Sequence, residues 1–328
     1  MKKLNCVQSK CIALLAGLLV GLTAPYANAQ DYPARPVRVV LPGAPGSLFD
    51  TITRMVFSKV SEALGQPVTI ENAAGAGGVI GVTSVARAPA DGYTLMSTPQ
   101  SALTVAPLLQ LRPGYDPVRD FEPVAMLAQI SEVLVVHPSL GVKTLEDFVR
   151  LAKSQPGKIA YASAGNGSLQ HLFMELFQRK AGIQLLHVPY KGVPPALQAV
   201  LSGEVGAINV GMGLARGHIA SGKLVALAKT GYPAQDALPG VPALTTQYPD
   251  AESIGWLGVF APRGTPKEVV EKLNAEIAKA WALPDVKARL ASLDLHAVGG
   301  SPGDLDRVLR TDIAVNRELV TSIGLKAD

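Results

Sequence analysis

Cysteine is nearly absent: the 328-residue chain holds two, Cys6 and Cys11. Both fall in a leader that reads as removable. Lys2, Lys3 and Lys10 form a basic start, Cys11 to Ala24 is mostly apolar, and Ala27-Asn28-Ala29 is a small-residue cleavage pattern before Gln30. The expectation is a signal peptide over 1–29 and an exported, periplasmic product. The apolar run is shorter than the roughly 20 residues that a spanning helix needs, and no other segment is apolar enough to span. A chain cleaved after Ala29 has no cysteine. That excludes disulfides, a Cys nucleophile and Cys metal sites. No cysteine stands at the cleavage point, which argues against lipid attachment.

An excess of one charge is also lacking. The formal net charge is +4, but the leader carries three lysines and no acid, which leaves 27 basic against 26 acidic residues and a net of +1. A nucleic-acid or membrane-surface partner requires a basic patch, so neither is expected.

Catalytic signatures are missing as well. There is no P-loop and no H-E-x-x-H. Ser163 follows a strand, but its context A-S-A-G is not the G-x-S-x-G of a nucleophile elbow. The stretch ENAAGAGGVIG (71–81) places Gly75, Gly77 and Gly81 as G-x-G-x-x-x-G with Ile80 intervening, and Asp91 lies in a turn. That fails the dinucleotide fingerprint, so no cofactor is expected. The histidines are His137, His171, His187, His218 and His296, and none sits in a triad pattern. His171 and Glu175 lie one helical turn apart, but two ligands do not make a zinc site. No metal is expected, and His171 and His187 are read as structural.

What is present is alternation. VRVVL (37–41) reads as a buried strand. Ile52, Val56, Val60 and Leu64 then mark one helix face, stopped by Gly65-Gln66-Pro67. VTIEN (68–72), a helix from Val79 to Ala88, and YTLMS (93–97) complete a βαβαβ run, which favours a parallel sheet with helices on its faces. The pattern recurs. VAMLA and VLVVHP (124–138) read as strands, and Leu145–Gln155 reads as a helix capped by Thr144. KIAYAS, LLHVPY, AINVG and LVALAKTG alternate with helices up to residue 231. WLGVFAP (256–262) and the helices begun by Pro266, Pro284 and Pro302 read as a return to the first domain. The expectation is α/β with two lobes and a ligand cleft between them. Lobe 1 covers 30–134 and 254–328, and lobe 2 covers 135–253.

Two loops carry the functional reading. PGAPGSLFD (42–50) leads from a strand into a helix, with Ser47 and Asp50 spaced as a capping box. SAGNGS (163–168) has the same form: Ser163, Gly165, Gly167 and Ser168 precede a helix. A strand–glycine loop–helix N-terminus presents N–H groups and the positive dipole end to an anion. Asp50 already occupies part of that positive end, so a carboxylate is favoured over a polyphosphate. Two such loops could grip one anion from both sides.

The chain also resembles the substrate-binding proteins of tripartite tricarboxylate transporters, the Bordetella uptake gene (Bug) type. The resemblance is carried by YPARPVRVVLP (32–42), ENAAGAGGVIGVTSVARAPADGYTLM (71–96), YASAGNGSLQHLFMELF (161–177), HVPYKGVPPALQAVLSGEV (187–205) and WLGVFAPRGTPKEVVEKLNAEI (256–277). It implies a periplasmic-binding-protein type II fold whose two α/β lobes close on a small carboxylate: a dicarboxylate, an acidic amino acid or an aromatic acid. It implies membrane transporter subunits as partners, no catalysis and a monomer. By that match Gly46, Ser47, Ser163, Ala164, Gly165 and Ser168, with Gly167, hold the carboxylate. Leu48 and Phe49 face the rest of the ligand, and Gln100 and Ser101 add a third loop. The chain departs from the family at Gly43, where an aromatic residue is usual, and at Ser47, where glycine is usual. It departs again near Gly206, where Asp is usual. Asn209 and Met212 in GEVGAINVGMG are carried as ligand candidates there. Two alternatives remain: a sensing module that hands its closed form to a signalling partner, and a periplasmic hydrolase using Ser163.

Overall fold

The run VRVVL has no apolar–polar alternation because β1 (Val37–Leu41) is covered on both faces, with Val37, Val39, Val40 and Leu41 at most 1% exposed. The computed structural model describes residues 32–110, 113–230, 238–249, 251, 255–293, 295, 296 and 299–324. The expected leader and both cysteines lie outside the described residues, and nothing further is said of them. Residues 35–328 form one compact unit, and the separate unit 1–34 is described only at 32–34.

After β1 come α1 (Leu48–Leu64), β2 (Val68–Asn72), α2 (Val79–Ala86) and β3 (Thr94–Pro99). The four-residue spacing on α1 does what it should, since Ile52, Val56 and Val60 are all fully buried. Gly65 ends the helix in the left-handed region at φ 65°. Next come α3 (Gln100–Thr104), α4 (Ala106–Leu109), β4 (Phe121–Ile130), β5 (Glu132–Val136), α5 (Leu145–Ser154), β6 (Ala160–Ser163) and α6 (Leu169–Ala181). They are followed by β7 (Leu186–Pro189), α7 (Val193–Leu201), β8 (Ala207–Gly211), α8 (Met212–Ala220) and β9 (Val225–Thr230). The chain ends with β10 (Gly255–Pro262), α9 (Lys267–Ala282), α10 (Pro284–Ser292), β11 (Leu295–His296) and α11 (Pro302–Ile323).

Among the described residues the strands form two sheets, in the orders β11-β4-β10-β3-β1-β2 and β7-β6-β8-β5-β9. The first three strands run parallel, as do β6, β7 and β8. The purely parallel expectation fails elsewhere: β10 is antiparallel to β3 and β4, and β5 is antiparallel to β8 and β9. Every position of β10 and β5 is buried. A strand covered on both faces shows the same apolar run in either direction, so its polarity is not written in its composition.

The chain passes from the first sheet to the second at Ser131, between β4 and β5, and returns at β10. The expected boundary at 134/135 falls inside β5, which pairs with β8 along its whole length. Alternation on β5 divides the second core. Leu134 and Val136 pack with Phe148, Tyr161 and Phe177 on one face, and Val133 and Val135 pack with Val200 and Ile208 on the other. The first sheet buries Val40, Met96, Phe121, Trp256 and Phe260 beneath α11, with Leu305 and Leu309 facing them. A small cluster of Val105, Leu172, Leu176, Leu319 and Val320 joins α6 of the second half to α11 of the first. Arg179 adds an ion pair to Glu318 at 3.0 Å there. Among the described residues no helix is long and apolar enough to cross a membrane.

Gly258, in the middle of β10, tests this packing. A Cβ there would lie 2.9 Å from the Phe260 ring, 3.0 Å from the Trp256 ring and 3.2 Å from Leu305. Overpacking against two rings should cost Gly258→Ala about 1–3 kcal/mol. Urea unfolding should show it as a lower midpoint with an unchanged slope. An unchanged midpoint would contradict the packing.

Candidate functional site

Because β1 and β3 are parallel, the loops that follow them open at one edge of the first sheet. The loop after β1 is held from beneath. Ser47 caps α1, its Oγ accepting the Asp50 N–H at 3.2 Å. The expected capping box closes only in part. Asp50 reaches back one residue further, and its carboxylate accepts the Gly46 N–H at 2.9 Å. The other carboxylate oxygen accepts Arg54 Nε and Asn72 Nδ2, each at 3.0 Å. Asn72 also donates to the Gly43 carbonyl at 3.2 Å. Asp50 is only 5% exposed. Burial pushes its carboxyl up, but Arg54, the Gly46 N–H and Asn72 together hold it below the usual carboxylate range. Its charge is thus answered inside the loop and does not stand against an incoming anion. Gly46 has φ 74° with open space where a Cβ would be, so its backbone conformation, not crowding, calls for glycine.

The first N–H groups of a helix have no acceptor in their own helix. Here those of Gly46 and Asp50 are taken, and among the described residues no hydrogen bond takes those of Leu48 and Phe49. Leu48 is 39% exposed and Phe49 is half-buried. The loop therefore offers two N–H donors beside an exposed apolar side chain.

The loop between β6 and α6 repeats the arrangement in the second sheet. Ser168 caps α6, accepting the His171 N–H at 3.3 Å. Gly167 is buried and donates its N–H to His171 Nδ1 at 3.1 Å. The N–H groups of Leu169 and Gln170 are the ones left without a bond among the described residues. Ala164 and Gly165 are half-buried.

Ser163, expected as a ligand donor, sits inside the loop. It is fully buried, its Oγ lies 2.6 Å from His187 Nε2, and it accepts the Gly165 N–H at 3.1 Å. Its hydroxyl shapes the loop from within. The serine–histidine contact was not legible in the sequence, because His187 comes from β7, 24 residues on. It does not make a hydrolytic triad. The nearby carboxylate, Glu175, accepts the Tyr161 hydroxyl at 2.6 Å and Gln178 Nε2 at 2.8 Å. Among the described residues no group of three or more potential ligands could hold a metal.

Asn209 also departs from expectation. It is fully buried in β8, donating to Glu132 at 2.5 Å and accepting from Thr230 at 3.1 Å. Each end of its amide bonds a neighbouring strand. Met212 packs into the core that holds Val133, Val135 and Ile208. Gly206 lies at the opposite edge of the sheet from the loop after β6, where a Cβ would meet Leu140 at 3.2 Å and the Ala160 carbonyl at 3.3 Å. The departure there is a packing requirement. Gln100 and Ser101 open α3 and are half-buried.

Two features were missed. Glu132, the first residue beyond the crossover at Ser131, is fully buried and receives Gln170 Nε2 at 3.2 Å as well as Asn209. Burial pushes its carboxyl up to about 7 against those two hydrogen bonds. The available signal was an acid set directly before the wholly apolar VLVV. The second feature is a ring stack. His171 and His187 lie 3.9 Å apart at 7°, with Tyr161 4.9 Å from His187.

Burial pushes both imidazoles down from 6.5 to about 4, and for His187 the adjacent His171 adds to the effect. Each therefore contributes stability that is present above about 6.5 and lost as pH falls toward 4. NMR titration should find both rings neutral at pH 6, with midpoints near 4. A midpoint at or above 6 for either ring would contradict the buried stack.

A family model described as tripartite tricarboxylate transporter family receptor matches residues 52–325. Protein BugT of Bordetella pertussis is 38% identical over 309 residues, covering 93% of this chain and 94% of that one. A Rhodopseudomonas palustris protein solved with adipate is 31% identical, with a TM-score of 0.77 over 90% of this chain and 99% of that one. MatC of the same organism, solved with bound malate, is 32% identical, with a TM-score of 0.73 over 88% of this chain and all of that one. Solved receptors of this kind are periplasmic binding proteins with two mixed α/β lobes. The chain belongs to the tripartite tricarboxylate transporter receptor family, the family of the Bug proteins.

Proposed function

We propose that this chain is a periplasmic receptor that captures a small carboxylate and presents it to the membrane subunits of a tripartite tricarboxylate transporter. The observation that carries the reading is the matched pair of helix starts. Each sheet has a strand, a glycine–serine loop and a helix whose first turn leaves two N–H groups uncommitted: Leu48 and Phe49 on one side, Leu169 and Gln170 on the other. A carboxylate held by both pairs would draw on two helix dipoles at once. The two halves, residues 35–130 with 255–324 and residues 132–230, act as lobes that close over it at the crossovers. The ligand favours the closed form because only there does it touch both loops. Adipate and malate in the solved relatives support a dicarboxylate. Leu48 and Phe49 would meet its carbon chain. Ser47 in place of a glycine narrows the loop and is where ligand choice differs from that of the relatives. Ser163, Gly165 and Gly167 serve by holding the second loop in shape.

A thermal-shift screen of the purified chain tests this. At least one of adipate, malate, citrate and benzoate should raise the midpoint by mass action, and adipamide should not. Binding of neutral compounds with no carboxylate binding would overturn the reading. Ser168→Asp gives the sharper result. Aspartate is as good a helix cap as serine, so stability should hold. Its charge, however, would sit where the anion docks, and should weaken carboxylate binding about tenfold or more. Undiminished affinity would remove this loop from the site.

A further inference from the structure

The two carboxylate loops share more than a cap. GSLFD (46–50) and GSLQH (167–171) fold alike, residue by residue. Gly46 and Gly167 are both left-handed, at φ 74° and 72°. Ser47 follows at φ −67°, ψ 164°, and Ser168 at φ −67°, ψ 159°. Each serine N–H donates back three residues, to the Ala44 carbonyl at 3.4 Å and the Gly165 carbonyl at 3.1 Å. Each serine Oγ accepts the N–H three residues on. Each glycine N–H donates to the side chain four residues on: Gly46 to Asp50 Oδ2 at 2.9 Å, Gly167 to His171 Nδ1 at 3.1 Å. That closing acceptor is where the loops differ. In the first it is a carboxylate braced by Arg54 and Asn72. In the second it is a buried imidazole.

We propose that the residue four beyond the loop glycine positions each carboxylate loop, and that His171 is that residue in the second: its Nδ1 holds the Gly167 N–H inward, so that the Leu169 and Gln170 N–H groups are left to face the ligand. This role rests on the carboxylate reading above. Nδ1 accepts only while it carries no proton. Burial pushes the His171 ring down to about 4, so at pH 7.5 the lone pair is free and the ring proton sits on Nε2, which faces Glu175 Oε1 at 4.0 Å. The ring plane is set from two strands. His187 of β7 stacks on it at 3.9 Å, and Tyr161 of β6 stacks on His187. Without Nδ1 the buried Gly167 N–H loses its acceptor, and the loop must shift or bear the cost of an unpaired donor. A neutral acceptor has a second consequence. Asp50 needs partners to answer its charge, whereas His171 adds no charge at the positive end of α6. The second loop therefore keeps its full helix-end potential for the ligand.

Two variants separate the acceptor from the ring. His171→Asn keeps an acceptor oxygen near the place of Nδ1 and gives up the ring stack. His171→Phe keeps a stacking ring and gives up the acceptor. Calorimetry of the purified chain at pH 7.5 with adipate, malate, citrate and benzoate reads affinity. Thermal unfolding reads stability, and NMR amide exchange at Gly167 reads the loop. The Asn variant should bind within about threefold of the unsubstituted chain, even where its unfolding midpoint falls. The Phe variant should bind about tenfold more weakly or worse, and its Gly167 amide should exchange faster than in the other two proteins. A ring that serves packing alone predicts the reverse order, with Phe keeping affinity and Asn losing it. That order, or equal affinities in the two variants, overturns the proposal. An unsubstituted chain that binds none of the four acids contradicts the carboxylate reading and this role with it. Binding that ignores the acceptor contradicts this role alone.

Discussion

A helix begins with N–H groups that its own carbonyls cannot reach, and in this protein two helix starts depend on how those groups are shared out. At α1, Ser47 takes one and Asp50 turns back to take the Gly46 N–H. At α6, Ser168 and His171 divide the work in the same way. In each case the loop is rigid enough to hold its shape and still leaves the next two donors uncommitted. Everything around the loops supports that division. Asn72 and Arg54 brace Asp50 from β2 and from α1. His187 braces Ser163 from β7. The sheets place each helix start at the carboxyl edge of a parallel strand, and the crossover at Ser131 links the two sheets through a single residue.

Charge is handled with the same economy. Asp50 looked like an obstacle to anion binding, being an acid at the positive end of a helix. Its burial and its three partners turn it into a fixture of the loop. Glu132, Asp312 and the two stacked histidines are likewise enclosed groups whose protonation is displaced from its ordinary range by burial. Glu132 is satisfied by amides. Asp312 has the Trp256 indole.

Much of this was legible in the sequence where the signal is local. The spacing of Ile52, Val56 and Val60, the caps at Ser47 and Thr144, and the return of WLGVFAP to the first sheet all follow from residues near one another or from simple apolar runs. What could not be read depends on pairing across the chain. The direction of β10 and β5 is hidden because both faces of each strand are buried. Asn209 was carried as a ligand candidate because it lies in GEVGAINVGMG, where the chain departs from the family, and its bonding partners could not be read there. Its partners, Glu132 and Thr230, are 77 and 21 residues away. Ser163 looked available because it follows a strand, and His187 claims it from another one. Site residues that act through their backbone were therefore easier to foresee than those that act through side chains. A glycine–serine loop announces an open main chain, whereas a hydroxyl does not announce where it points.

The central claim is that both loops contact one carboxylate through the N–H groups of Leu48, Phe49, Leu169 and Gln170. A crystal structure of the chain grown with adipate tests it most directly. The account predicts one carboxylate group within about 3 Å, directly or through one water, of a donor from each pair. Adipate bound to one loop alone, with the other pair of N–H groups facing only solvent, would contradict it.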